Sequence, residues 1–228
     1  MRINILSAGL LSVLLGGCAT SIEVSGDYSC KEICQSFSLN RDATFRFEDE
    51  ASSGFSDGHW FKYKGDQVVL NSVIKDRSLP LKTFEFGTHE FGQESLLSFD
   101  IDLLPTEKPY YQCLVYVNDT LYQRRNCDSL TTLPIKNEIY SLRFDICGNE
   151  KMPGRIHDTL HTELYHPRAA AGNKFQIHIF FNDSLFNYRV FDNEVFKVTK
   201  KGLRVFNPST KQWDYIGRKK PEDALVMQ

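Results

Sequence analysis

Leu97-Ser98-Phe99-Asp100-Ile101-Asp102-Leu103 alternates apolar and polar side chains without a break. Period two puts Leu97, Phe99, Ile101 and Leu103 on one face and Ser98, Asp100 and Asp102 on the other, as a half-buried strand requires. The same grammar recurs along the chain. Leu142, Phe144 and Ile146 oppose Arg143 and Asp145, and Phe175, Ile177, Ile179 and Phe181 oppose Gln176 and His178. β-Branched and aromatic residues fill these runs, and such side chains favour a pleated surface. Turn signals separate them at Lys64-Gly65-Asp66, Asn118-Asp119, Asn182-Asp183, Lys201-Gly202 and Asn207-Pro208. No long segment keeps a helical period. The expectation is an all-β chain of antiparallel hairpins.

Two internal echoes sharpen it. Val115 to Tyr122 and Ile179 to Phe186 share one pattern: an apolar strand, Asn-Asp, then an apolar return. Asn and Asp tolerate the positive φ of tight hairpin turns, so both segments are expected to be hairpins. Phe61 to Leu70 and Phe196 to Val205 echo each other more loosely around a Gly turn. The spacings share no common period, so they read as repeated hairpin grammar rather than duplicated modules.

Composition narrows the class. The 228 residues are 41% hydrophobic and 25% charged, which excludes a disordered chain and an integral membrane bundle. With 27 basic against 29 acidic residues, the net charge gives no reason to expect nucleic-acid binding.

The N-terminus, Met1 to Thr20, has one cation (Arg2), an apolar run from Ile3 to Leu15, and then Gly16-Gly17-Cys18. It reads as a secretory signal, too short to span a bilayer stably. Leu15-Gly16-Gly17-Cys18 resembles the bacterial lipobox. That resemblance implies a signal peptide over 1–17, cleavage before Cys18, acylation of its thiol and new amino group, and a tether over 18–25. Ala19, in place of Asp, implies delivery to the outer membrane. The partner implied is the lipid bilayer, and stable anchoring takes about two acyl chains.

Export allows disulfides. With Cys18 acylated, Cys30, Cys34, Cys113, Cys127 and Cys147 remain. Five is odd, so at least one thiol has no partner within the chain. Cys30 and Cys34 could close a small loop, and Cys113 and Cys127 flank the hairpin around Asn118. Connectivity stays open at this point. No Cys-x-x-Cys pair suggests redox chemistry or structural zinc.

Gly26-Asp27-Tyr28, Asp42-Ala43-Thr44-Phe45 and Gly58-His59-Trp60, with Gly65 and Val69-Leu70, resemble the N-terminal meander of lipocalin-like bacterial lipoproteins. The resemblance implies a strand, a D-x-T-F hairpin and a G-x-W hairpin over 26–78. A full barrel needs about eight meandering strands. The Pro-containing stretch Leu103 to Pro109 and the segment Cys147 to Asn173 interrupt that rhythm. The expectation is therefore a β-sandwich over 80–216, followed by a loosely attached tail over 217–228.

Reactive side chains concentrate in Arg155 to Pro167, with His157, Asp158, His161, Glu163 and His166. His157 and His161 share a face on a strand or a helix, and Glu163 joins them on a strand. His157, His161, Glu163 and His166 are the candidate metal ligands, since neutral imidazoles bind zinc. The competing expectation is a polar edge of a β domain. The His-Glu-x-x-His pattern is absent, as are the Gly-x-Ser-x-Gly elbow and a Gly-rich phosphate loop. Asp100 and Asp102 read as solvated rim rather than a glycosidase pair. Tyr110-Tyr111, Phe180-Phe181, Trp60 and Trp213 read either as an open glycan-stacking or peptide-binding surface or as core, and the favoured expectation is core, with a second sheet over the face that carries His178 and Phe180. No catalytic residue and no cofactor can be assigned. The favoured function is a non-catalytic binding or structural module. Its partner would be an envelope protein joined at a sheet edge or a small ligand in a pocket. The alternative is a metal-binding protein or metal-dependent hydrolase.

Overall fold

The computed structural model describes residues 22–30, 34–87, 94–127, 131–136, 138–148, 155–168 and 173–220. The expected signal segment, Cys18 and most of the expected tether lie outside them. The described chain is all-β, with two short 3-10 turns at Lys108–Tyr110 and Asp183–Phe186 and no α-helix.

Eight strands close a barrel in meander order. They are β1 (Gly26–Cys30), β2 (Gln35–Leu39), β3 (Thr44–Asp49), β4 (Gly54–Lys62), β5 (Gln67–Ser72), β14 (Glu194–Thr199), β15 (Gly202–Asn207) and β16 (Gln212–Lys219). β16 closes on β1, with Tyr28 opposite Lys219. The D-x-T-F stretch makes the turn from β2 to β3. Asp42 accepts from the Thr44 amide at 3.0 Å and from its hydroxyl at 2.6 Å, while Ala43 sits at φ 65°. In the G-x-W stretch, Trp60 Nε1 donates to the Asn40 carbonyl at 3.0 Å. A Cβ on Gly58 would lie 2.1 Å from the Asn71 carbonyl oxygen, so only glycine lets β4 approach β5 there.

Between β5 and β14 an eight-stranded unit is inserted. β6 (Leu81–Phe86), β7 (Ser95–Ile101), β10 (Thr131–Ile135) and β13 (Lys174–Ile179) form one sheet in the order β10-β7-β13-β6. β8 (Tyr111–Val117), β9 (Thr120–Asn126), β11 (Leu142–Gly148) and β12 (Thr159–His161) form the other, ordered β12-β11-β8-β9. The inner faces share one core, with Phe99 and Phe144 rings 5.0 Å apart. Pairing is antiparallel except between β7 and β13, which run parallel. The whole second sheet is threaded into the connection between those two strands, a length of chain that parallel pairing needs.

The barrel has a separate core. Tyr28, Phe37, Leu39, Phe45, Phe47, Val68, Leu70, Phe196, Val198 and Leu203 point inward. Phe191, on the crossover into β14, plugs this interior and makes edge contacts with Phe45 and Phe47 at 5.5 and 5.4 Å. A barrel of about eight strands is just wide enough for side chains to fill, and this one is filled. Phe55 meets Tyr188 at 5.3 Å, ring to ring, and joins barrel to sandwich.

Four expectations change. The expected sandwich over 80–216 includes residues 194–216, but these belong to the barrel, because β14 pairs with β5. The alternation of Phe196 and Val198 suits either unit, and only the pairing partner decides. In the expected loose tail, Gly217, Arg218 and Lys219 are part of β16, and 221–228 lie outside the described residues. The Asn-Asp at 118–119 does turn a hairpin, with φ of 51° and 60°, but that at 182–183 does not. There Asn182 caps a 3-10 turn, accepting from the Ser184 amide at 3.1 Å, and the turn drives Leu185 and Phe186 into the sandwich core. Lastly, the face bearing His178 and Phe180 is open. Phe84, Phe86 and Phe180 on that side are 49%, 50% and 42% exposed.

Candidate functional site

A cleft of about 620 Å³ opens at the barrel mouth where the two crossovers pass between barrel and sandwich. Phe47 and Asp49 come from the end of β3. Lys75, Asp76, Arg77 and Ser78 lie on the outgoing crossover. Ile156, His157, Leu160 and His161 come from the sandwich, and Arg189 and Val190 from the returning crossover. Four chain segments far apart in sequence are needed to make it. Ile156 is seated against β4 by the missing side chain of Gly54, where a Cβ would lie 2.4 Å from Ile156 Cδ1.

Nearly every charge around the cleft is already engaged. Asp49 accepts from the Ala51 amide at 3.0 Å and from Gln35 at 3.2 Å. Asp76 accepts from the Ser78 amide at 2.9 Å and its hydroxyl at 3.0 Å. Lys75 reaches Asp192 at 3.2 Å. Arg189 pairs with Glu194 at 3.4 Å and lies over the rings of Phe47 and Phe191. Burial pushes the Glu194 carboxyl up, and Arg189 opposes that shift.

Arg77 differs. Its Nη1 is buried and has no hydrogen-bond partner. Leaving such a nitrogen unpaired costs about 1–3 kcal/mol or more. Burial also lowers the Arg77 pKa, with Asp76 opposing. The His157 imidazole is pushed below its ordinary value, first by burial and then by the Arg77 charge. His161 Nδ1 donates at 2.8 Å to Asp145, a buried carboxylate that also accepts from Arg143 Nε at 3.2 Å.

The candidate metal ligands are dispersed. His157 and His161 both line the cleft, but Glu163 is exposed outside it, and His166 Nδ1 is 3.1 Å from the Tyr140 carbonyl. Among the described residues no three His, Cys, Asp or Glu side chains converge as a metal site. Arg77 was not a sequence candidate. Lys75-Asp76-Arg77-Ser78 reads as an ordinary polar linker, and only the tertiary fold buries part of it.

Among the described residues, Cys30, Cys113, Cys127 and Cys147 form no disulfide. Cys113 and Cys127 are both buried on β8 and beside β9, with Sγ atoms 2.6 Å apart. Cys34 is exposed, and Cys147 Sγ lies 3.4 Å from the Thr159 hydroxyl. A smaller cleft of about 210 Å³ sits near the tether, between Glu23, Asp27, Arg41 and Lys219. There Arg41 pairs with Glu23 at 3.4 Å, and Lys219 Nζ donates to the Glu23 carbonyl at 2.9 Å.

No family model, curated protein or solved structure matches the chain.

Proposed function

We propose that this chain is an outer-membrane lipoprotein, anchored through acylated Cys18, that presents a non-catalytic binding module. Its ligand site is the cleft at the barrel mouth. The observation that carries this reading is where free space lies. Side chains fill the barrel interior, where a lipocalin-like meander would suggest a ligand, while a drug-sized space of about 620 Å³ opens at the junction of the two units. The lipobox resemblance supports the anchor. The chemistry around the cleft supports binding: polar groups converge beside Phe47, Ile156 and Leu160.

The test begins with the chain purified from envelopes in a non-ionic detergent. Intact mass is expected to show loss of residues 1–17 and gain of acyl groups, with no acylation in Cys18→Ala. Small-molecule binding seen by ligand-observed NMR is expected to vanish in Ile156→Trp, which fills the cleft. Binding that survives this substitution would move the site elsewhere.

One observation favours a second reading. His157 and His161 do share the cleft, and Asp145 orients His161. Elemental mass spectrometry of the same sample is expected to find no stoichiometric metal. About one metal per chain, lost in His157→Ala, would replace the binding module with the metal-dependent alternative.

A further inference from the structure

We infer that the cleft takes an organic anion, with a carboxylate or phosphate head seated on Arg77 and an apolar body against Phe47, Ile156, Leu160 and Val190. This rests on the proposed reading of the cleft as a ligand site and adds the ligand's charge and shape.

Among the described residues, hydrogen-bond partners at the cleft wall are matched except at one donor. Both acids, Asp49 and Asp76, have their oxygens taken up by nearby amides and hydroxyls. Lys75 and Arg189 each have a carboxylate. The polar atom left buried and unpartnered is a cationic nitrogen, Arg77 Nη1. A guanidinium offers forked donors matched to carboxylate or phosphate, so the missing partner is an anion. The neighbouring His157 feels Arg77 as a repulsive charge, which an anion placed between them would relieve. The apolar wall then sets the rest. A bare inorganic ion would leave Phe47, Ile156 and Leu160 facing water, whereas an anion with an aromatic or aliphatic body covers them.

Calorimetry on the full chain in non-ionic detergent tests this with four probes: 4-phenylbutyrate, phenyl phosphate, the neutral 4-phenylbutanol and inorganic phosphate. One organic anion is expected to bind per chain, at least about 10-fold more tightly than the alcohol and than inorganic phosphate. Arg77→Met keeps the aliphatic stem and removes the charge, and it is expected to weaken anion binding about 10-fold or more. Without ligand, Arg77→Met is expected to melt at or above the parent temperature, because it removes a buried donor that has no hydrogen-bond partner. A melting point several degrees lower would mean that Arg77 serves the fold, and would overturn the inference. Equal binding of alcohol and carboxylate, unchanged by Arg77→Met, would also overturn it. If that binding is lost in Ile156→Trp, the cleft still stands as a ligand site and only its charge preference falls. Failure of both anions to bind overturns the inference too.

Discussion

Two residues set opposite limits on stability against pH. His157 has a folded pKa below the ordinary 6.5, so the unfolded chain takes up its proton first as pH falls. Its stability contribution is complete above about pH 6.5 and declines as pH drops through the window below. Tyr28 is pushed up to about 12 by burial and by Glu23, and its hydroxyl donates to the Val24 carbonyl. That contribution is complete below about pH 10 and is lost between pH 10 and 12. Chemical unfolding across pH 4–8 is expected to show a shallower acid decline in His157→Gln than in the parent. An identical slope would mean that His157 is not the residue responsible. Cys113 and Cys127 form the other residue-scale pair. In an oxidising envelope they are expected to join, closing a loop worth about 3 kcal/mol. Alkylation without reductant, followed by intact mass, should find this pair protected and the mass short by two hydrogens. Two alkylated sulfurs at 113 and 127 would refute it. Burial pushes the Cys113 thiol up, so the pair would be slow to react with outside thiols once formed.

At the scale of the element, one dipeptide makes two structures. Asn118-Asp119 turns β8 into β9 because both residues sit in the left-handed region, and the Asn118 side chain is committed elsewhere. Its Oδ1 accepts from the Tyr140 and Ser141 amides at 2.6 and 3.1 Å, and its Nδ2 donates to the Glu138 carbonyl at 2.7 Å. Asn182 instead stays extended at φ −138° and turns its oxygen onto Ser184. What differs is demand from outside: the core needs Leu185 and Phe186 at once, and a hairpin would carry them away. Asn118→Gly keeps the backbone freedom and removes the three side-chain bonds. It is expected to cost about 1–3 kcal/mol, read as a lower Tm. An unchanged Tm would show that the turn needs only its φ values.

The whole molecule is a barrel interrupted by a sandwich. β5 and β14 lie side by side, with Leu70 opposite Glu194, so the ends of the insertion meet. A chain in which 73–190 is replaced by a tight turn, keeping Phe191 as the plug, is expected to fold as a cooperative β protein by circular dichroism. It should also lose all anion binding, because the cleft needs both crossovers and the sandwich. A chain that fails to fold would mean that the Phe55–Tyr188 contact is essential to the barrel rather than merely joining the units.

The sequence by itself determined the local grammar. Alternation such as Leu97 to Leu103 specified strands, because a period of two fits no helical face. Asp42-Ala43-Thr44-Phe45 specified its turn through an aspartate that hydrogen-bonds two residues onward. These are interactions within a few residues, so their signal stays in a short window. Only the tertiary structure decided that β14, β15 and β16 complete the barrel, since Phe196 and Val198 bury equally well in either unit until a partner strand is chosen. It alone opened the face of His178 and Phe180, drew His157 and His161 together and parted them from His166. It alone left Arg77 Nη1 buried without a hydrogen-bond partner. That residue carries no local mark, because the cleft it lines is completed by chain segments more than a hundred residues away, at positions 189 and 190.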